Sequence, residues 1–194
     1  MGHKTHVKSI QISDGGVVSF EHDRGYSLIM KPYINDLLEL INHGKVSNTY
    51  KMSWIKSIVE ICEQHCKKEI HFDELSPIIF KYYWNQTFFF NLYQGNNKKK
   101  KPKIIQYVDE EIESYKNKFN TYQPITCIKY QDSIEKSLYK KISTVLKTDV
   151  SGKFQNLSGR KYDIYELDED NRTIKIKHPE VIKEFSKFLY QAIN

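Results

Sequence analysis

The stretch Thr49 to Tyr93, TYKMSWIKSIVEICEQHCKKEIHFDELSPIIFKYYWNQTFFFNLY, decides the fold, because it holds two helical periodicities separated by a short β-compatible link. In the first half Met52, Ile55, Ile58, Val59, Cys62 and Cys66 recur at three- and four-residue steps and share one face, while Lys51, Lys56, Glu60, Glu63 and Lys67 point elsewhere. That is the pattern of an amphipathic helix packed on a core. The second half repeats it with Leu75, Ile78, Ile79, Tyr82, Tyr83 and Phe89, but sets Phe80, Trp84, Phe88 and Phe90 off that face. A helix apolar nearly all round is central or covered by a partner. Trp84, Phe88 and Phe90 are therefore candidate partner-binding residues. Between the halves Ile70, His71 and Phe72 favour an extended link, and Asp73 or Ser76 can cap the second helix. Pro77 is tolerated in a first turn whose amides lack helical partners. Helix, short link and capped helix outline a helix-turn-helix or winged-helix element.

Outward from this pair, Ser47, Asn48 or Thr49 can cap the first helix. Upstream, Pro32 opens YINDLLELINHG, whose stripe of Ile34, Leu37, Leu38 and Ile41 predicts a helix from Tyr33 to His43, closed by Gly44. VKSIQIS and VVSFEHD around Asp14-Gly15-Gly16 predict a hairpin over residues 7 to 23, and YSLIM a third strand. Downstream, GNNKKKKPK, Gly95 to Lys103, reads as an exposed loop. A helix is expected from Tyr107 to Phe119, with Asp109, Glu110 and Glu111 in its first turn and Lys116 and Lys118 in its last, as the helix dipole favours. DSIEKSLYKKISTVL follows as an amphipathic helix through Ile134, Leu138, Ile142 and Val145, capped by Asp132 or Ser133. Residues 148 to 161 read as a polar loop, YDIYEL and TIKIKH as a hairpin around DEDNR, and Pro179 to Ile193 as one helix.

The expected class is α+β: a mainly helical domain with a central helix pair, winged-helix-like in outline, and two small β-hairpins. The chain of 194 residues fits a single domain. Within it, residues 1–31 would form an N-terminal hairpin extension, 32–147 a helical core, and 148–194 a β-hairpin plus C-terminal helix. No run approaches the roughly 20 apolar residues of a bilayer span, and MGHKTHVKSI lacks the apolar stretch of a secretory signal. Three cysteines, an odd number, build no disulfide framework. A soluble cytoplasmic protein is expected, with no membrane partner.

The formal net charge of +6 favours a polyanion. Lys98, Lys99, Lys100, Lys101 and Lys103, with Arg160 and Lys161, are the candidate nucleic-acid-binding residues, able to neutralise phosphates and release counterions without sequence preference. A solvated, solubilising loop is the competing reading of the lysine run. Arginine, the commonest base-reading residue, is limited to Arg24, Arg160 and Arg172. Asn85, Gln86, Asn91 and Gln94 could read bases or simply face solvent.

Signs of catalysis are few. No nucleophile elbow, Walker A loop, glycine-rich dinucleotide fingerprint or His-Glu-x-x-His zinc helix is present. Cys62, His65, Cys66 and His71 have metal-ligand residue types, but the cysteines fall on the apolar stripe and read as core packing, so no metal is assigned. Asp163, Glu166, Asp168, Glu169 and Asp170 supply the carboxylates a magnesium-dependent nuclease needs, but the last three lie where a hairpin turn is expected. No catalytic residue and no cofactor are expected in this chain.

PYINDLLELINHGKVSNTYKMSWIKSIVEIC, IHFDELSPIIFKYYW and IYELDEDNRTIKIKHPEVIKEFSKFL occur in an order that resembles the non-catalytic N-terminal region of bacterial restriction-type HNH endonucleases, with NTYK and FDEL the closest short stretches. The resemblance covers Pro32 to Asn194. It implies a DNA-binding or recognition-type domain followed by a ββα-metal nuclease module, whose histidines and asparagine would bind a divalent ion. His43, His71 and His178 lack that module's spacing, so no catalytic residue carries over. The resemblance thus implies weak, salt-sensitive DNA binding, with a nuclease domain or a protein partner beside it. A protein-interaction module of phage or plasmid origin, docking through the aromatic face of residues 73–93, and a small metal-dependent nuclease are the alternatives.

Overall fold

The computed structural model describes residues 9–12, 18–21, 27–43, 50–90, 101–124 and 136–193, with the backbone alone for 9–12, 18–21 and 27–31. Strands β1 (Ser9–Ile12) and β2 (Val18–Glu21) pair antiparallel, as the alternation around the Asp-Gly-Gly segment predicts. The expected third strand over YSLIM is not formed by its described residues, 27–30. Helix α1 runs Ser27–His43 and takes in those residues, with Pro32 inside it instead of at its first position. A five-residue apolar run does not distinguish strand from helix by periodicity; here it continues the helix, and Pro32 costs one backbone hydrogen bond.

The expected central pair is α2 (Tyr50–His65) and α3 (Phe72–Phe90), joined by the short strand β3 (Glu69–His71). Helix α2 buries Ile55, Ile58, Val59 and Cys62 as its stripe predicts, and also Trp54 and Lys51. Lys51 does not face solvent. Its ammonium donates to the carbonyl of Ile41 in the last turn of α1, 2.6 Å away, tying the two helices together. Burial depresses its pKa. Cys66 lies beyond the end of α2 in the left-handed region, with φ 48°, and is exposed, so it does not belong to the packing stripe.

Helix α3 starts one residue before the expected caps. His71 occupies the cap position: its Nδ1 accepts from the amide of Asp73 at 3.2 Å, and Glu74 Oε1 accepts from the His71 amide at 2.9 Å. The reciprocal pattern is that of a capping box with an imidazole in place of a hydroxyl. Ser76 instead bonds back to the Phe72 carbonyl. Burial pushes the Glu74 carboxyl up, but the Lys67 ammonium and the His71 amide outweigh it and leave its pKa below the ordinary 4.5. The carboxylate's stabilising contribution is therefore complete above that value and fades as pH falls through the lowered folded pKa. Glu74→Ala should cost about 1 kcal/mol in urea unfolding at pH 7, and the difference from wild type should shrink in acid.

Helix α4 (Lys103–Phe119) begins four residues before the expected Tyr107, so Asp109 to Glu111 lie beyond its first turn. The extra turn is held by Tyr50, whose hydroxyl oxygen accepts from the Ile104 amide at 2.9 Å. Helix α5 (Lys136–Val145) continues through a π-helical segment, Leu146–Ser151, into the short helix α6 (Gly152–Phe154). This replaces the first part of the expected polar loop, because Leu146, Val150 and Phe154 prolong the apolar spacing and are buried. The rest forms the hairpin β4 (Asn156–Leu157) and β5 (Arg160–Lys161). Both residues of its connection, Ser158 and Gly159, carry positive φ, as a tight turn of the I′ kind requires.

Strands β6 (Tyr165–Asp168) and β7 (Thr173–Ile176) form the expected late hairpin, and β3 adds to it, giving the antiparallel order β3-β7-β6. Ile70, Tyr165, Ile174 and Ile176 turn inward, while Glu69, Glu166 and Lys175 are exposed on the other side. The expected C-terminal helix is two, α7 (Pro179–Glu184) and α8 (Ser186–Ile193), broken at Phe185, and both pack on α2. The fold is α+β and mainly helical. Buried side chains from Tyr33 to Leu189 form one hydrophobic cluster. Near its centre Trp54 meets Phe72 and Tyr165 edge to face, at 5.6 and 6.0 Å between ring centroids.

Candidate nucleic-acid interface

The lysine run divides at the edge of the described residues. Lys98, Lys99 and Lys100 lie outside them. Lys101 is exposed, but its ammonium pairs with Asp109 at 2.6 Å, while its carbonyl accepts from Gln106. Lys103 is not in a loop; it is the exposed first residue of α4. Of the two downstream basic candidates, Arg160 pairs with Asp36 of α1 at 3.1 Å and lies over the Tyr162 ring at 4.4 Å. Burial of Asp36 outweighs that attraction and leaves its carboxyl pKa raised. Lys161 is exposed. The described basic candidates thus lie on separate elements, and Lys101 and Arg160 are each held by a different acid.

Pairing of this kind recurs, though Lys68, Lys103, Lys118, Lys161, Lys175, Lys183 and Lys187 have no carboxylate within 4 Å among the described residues. Lys67, Lys81, Lys116, Lys153 and Lys177 each contact a carboxylate. Lys136, Lys140, Lys141 and Lys147 stand together. All four lie on α5 and its π-helical continuation, and none pairs with a carboxylate among the described residues. Leu138, Ile142 and Val145 bury the opposite side, with α5 packed on α3 and α4. Lys136, Lys140 and Lys141 are exposed, and Lys141 lies 5.6 Å from the Tyr107 ring. The signal was present in KSLYKKISTVLK, where basic residues fall on the face left by the apolar stripe.

The aromatic candidates separate by burial. Trp84 is 0% exposed; it donates its indole N–H to the Gln123 carbonyl at 2.8 Å and packs against Phe80, Tyr115 and Tyr122, so it cannot meet a partner. The inward side of α3 is Phe72, Leu75, Ile79, Phe80, Tyr83 and Trp84, turned from the expected stripe. Phe88 is half-buried on Tyr122 at 4.9 Å. Phe90 is exposed at 65%, as is Phe89 at 60%, which the expected stripe had turned inward.

The titratable clusters have structural partners. Cys62 is buried, and desolvation pushes its thiol up to about 12. His71 is occupied as a helix cap. Asp163 and Glu166 both contact Lys177, and Asp168 accepts from the backbone and side chain of Asn171, which hold its carboxyl below the ordinary range. Glu169 and Asp170 are exposed beside it at the hairpin tip, bordering a shallow groove with Glu69 and Lys175. Among the described residues no three His, Cys, Asp or Glu side chains are grouped to hold a metal ion. No described helix is long and apolar enough to cross a membrane.

Comparison with known proteins brings no neighbour. No protein-family profile, curated protein or solved structure matches the chain.

Proposed function

We propose that the chain is a DNA-binding, recognition-type domain of the kind that accompanies the nuclease module of restriction-type HNH endonucleases, acting in the cytoplasm. It binds DNA weakly through phosphates and cuts nothing by itself. The observation that carries this reading is the sheet order β3-β7-β6, in which a strand between two helices joins a later hairpin. That arrangement extends the winged-helix outline of the Thr49 to Tyr93 stretch into three dimensions. The net charge of +6 supports a polyanionic partner.

Binding of a fluorescent 20-base-pair duplex at low and high salt tests the reading. Affinity should fall steeply with salt and differ little between unrelated sequences, and plasmid should stay uncut with magnesium or manganese. Neutralising Lys98 to Lys101 and Lys103 together should weaken binding. Absent or salt-independent binding contradicts the reading, and cleavage would assign the chain to the metal-dependent nucleases.

Exposure of Phe89 and Phe90 at the end of α3 favours a second reading, a protein-interaction module. Light scattering separates the two: a dimer dissolved by Phe90→Ala would support docking.

A further inference from the structure

We infer that the outer face of α5, through Lys136, Lys140, Lys141 and Lys147, is the surface that lies against the phosphate backbone of duplex DNA. The inference rests on the DNA-binding reading above and names the surface that carries it.

Three observations converge on this helix. First, its cations are uncompensated. Lys67, Lys81, Lys101, Lys116, Lys153 and Lys177 are each matched by a carboxylate within 4 Å; these four have no such partner among the described residues, and unlike the other unmatched lysines they follow one another along a single helical segment. From Lys136 to Val145 the helix itself contains no Asp or Glu. The next acid after Lys147, Asp149, is engaged by Lys153 at 3.5 Å. On the packed side, Glu111 of α4 acts on Tyr139 and helps raise its hydroxyl pKa, after burial.

Second, the spacing is costly without an anion. Lys136 and Lys140 stand at i,i+4, where like charges repel. A bound phosphate row would relieve that repulsion. From Lys136 to Lys147 the positions span about 16 Å of helix, comparable to about five phosphates along one strand at 3.4 Å each. The exposed hydroxyl-bearing residues between them, Ser137 and Thr144, are short enough to leave the backbone approach open.

Third, the face is held firmly. Leu138, Ile142 and Val145 anchor α5 from below, and α5 leads through its π-helical continuation to Ser151, whose carbonyl accepts from buried Tyr165 at 2.5 Å. The lysines are therefore presented by a helix anchored in the core.

The test compares three full-length proteins on one 20-base-pair duplex over a range of salt: wild type, K136A/K140A/K141A, and K68A/K183A/K187A. The control removes the same charge at exposed positions, two of them on α7 and α8. Circular dichroism confirms that each is folded. The α5 variant should lose at least tenfold in affinity at 50 mM salt, and the slope of log affinity against log salt should shrink by about 2 to 3. The control should lose much less of both. Equal losses in the two variants would reduce the effect to net charge and overturn the inference, as would wild-type binding by the α5 variant; either leaves the DNA-binding reading standing. A wild type that fails to bind at 50 mM salt overturns both. Tighter retention of a hairpin RNA than of the DNA duplex overturns the assignment of the ligand.

Discussion

Trp84→Ala should destabilise the protein by about 3–5 kcal/mol, while Phe90→Ala on the same helix should change its stability by less than about 0.5 kcal/mol. Both are large aromatic residues of one apolar segment, and by helical spacing both lie off its expected buried stripe. They differ in surroundings. Trp84 is enclosed by Phe80, Tyr115 and Tyr122, and its indole N–H donates to the Gln123 carbonyl. Truncation would empty a large volume and leave that carbonyl without its donor. Among the described residues Phe90 makes a ring contact with Phe89 alone, and it is mostly in water. For a domain of this size the loss at Trp84 corresponds to a fall in melting temperature of roughly 10 °C. Urea unfolding of the two variants reads the contrast directly, and comparable stabilities would mean that α3 is turned differently.

The second large effect is expected at Tyr165. Its hydroxyl accepts from the Trp54 indole N–H at 3.2 Å and donates to the Ser151 carbonyl at 2.5 Å, entirely within the core. Burial drives its ionisation far above the ordinary tyrosine range, so it stays a neutral donor. Tyr165→Phe keeps the ring, its stacking on Phe154 and its edge contact with Trp54, but leaves two buried polar groups without a partner. The expected cost is about 2–4 kcal/mol. A double-mutant cycle with Trp54→Phe isolates the shared bond: removing the indole donor should cost less when the hydroxyl is already gone, by at least about 0.5 kcal/mol. Strict additivity would show that the relay is not formed.

What could be read from the residues followed from local chemistry. The stripe Ile34, Leu37, Leu38, Ile41 is buried as its spacing requires, YDIYEL and TIKIKH pair across their turn, and Pro179 opens a helix. Boundaries were harder, because YSLIM is too short for its period to separate strand from helix, and the Leu146, Val150, Phe154 spacing is diluted by Lys, Thr, Asp and Ser. The winged outline was visible in Thr49 to Tyr93. The partner of β3, however, lies about a hundred residues downstream, and no local rule pairs such distant strands.

The candidate interface was only half legible for the same reason. A run of lysines announces positive charge but not its neutralisation. Asp109 faces Lys101 only because α4 begins early, and Asp36 faces Arg160 across 124 positions of sequence. Cations that escape such pairing are identified by packing. On α5 they occupy ordinary amphipathic positions, a weaker local signal than five lysines in nine residues.

Phosphate binding is the central claim, and the affinity of the wild-type protein for a short duplex as salt rises from 50 to 200 mM tests it most directly. With at least three lysines on phosphates, log affinity should fall linearly against log salt with a slope of about −3 or steeper, nearly the same for unrelated sequences. A slope near zero, or no binding at 50 mM, would contradict it.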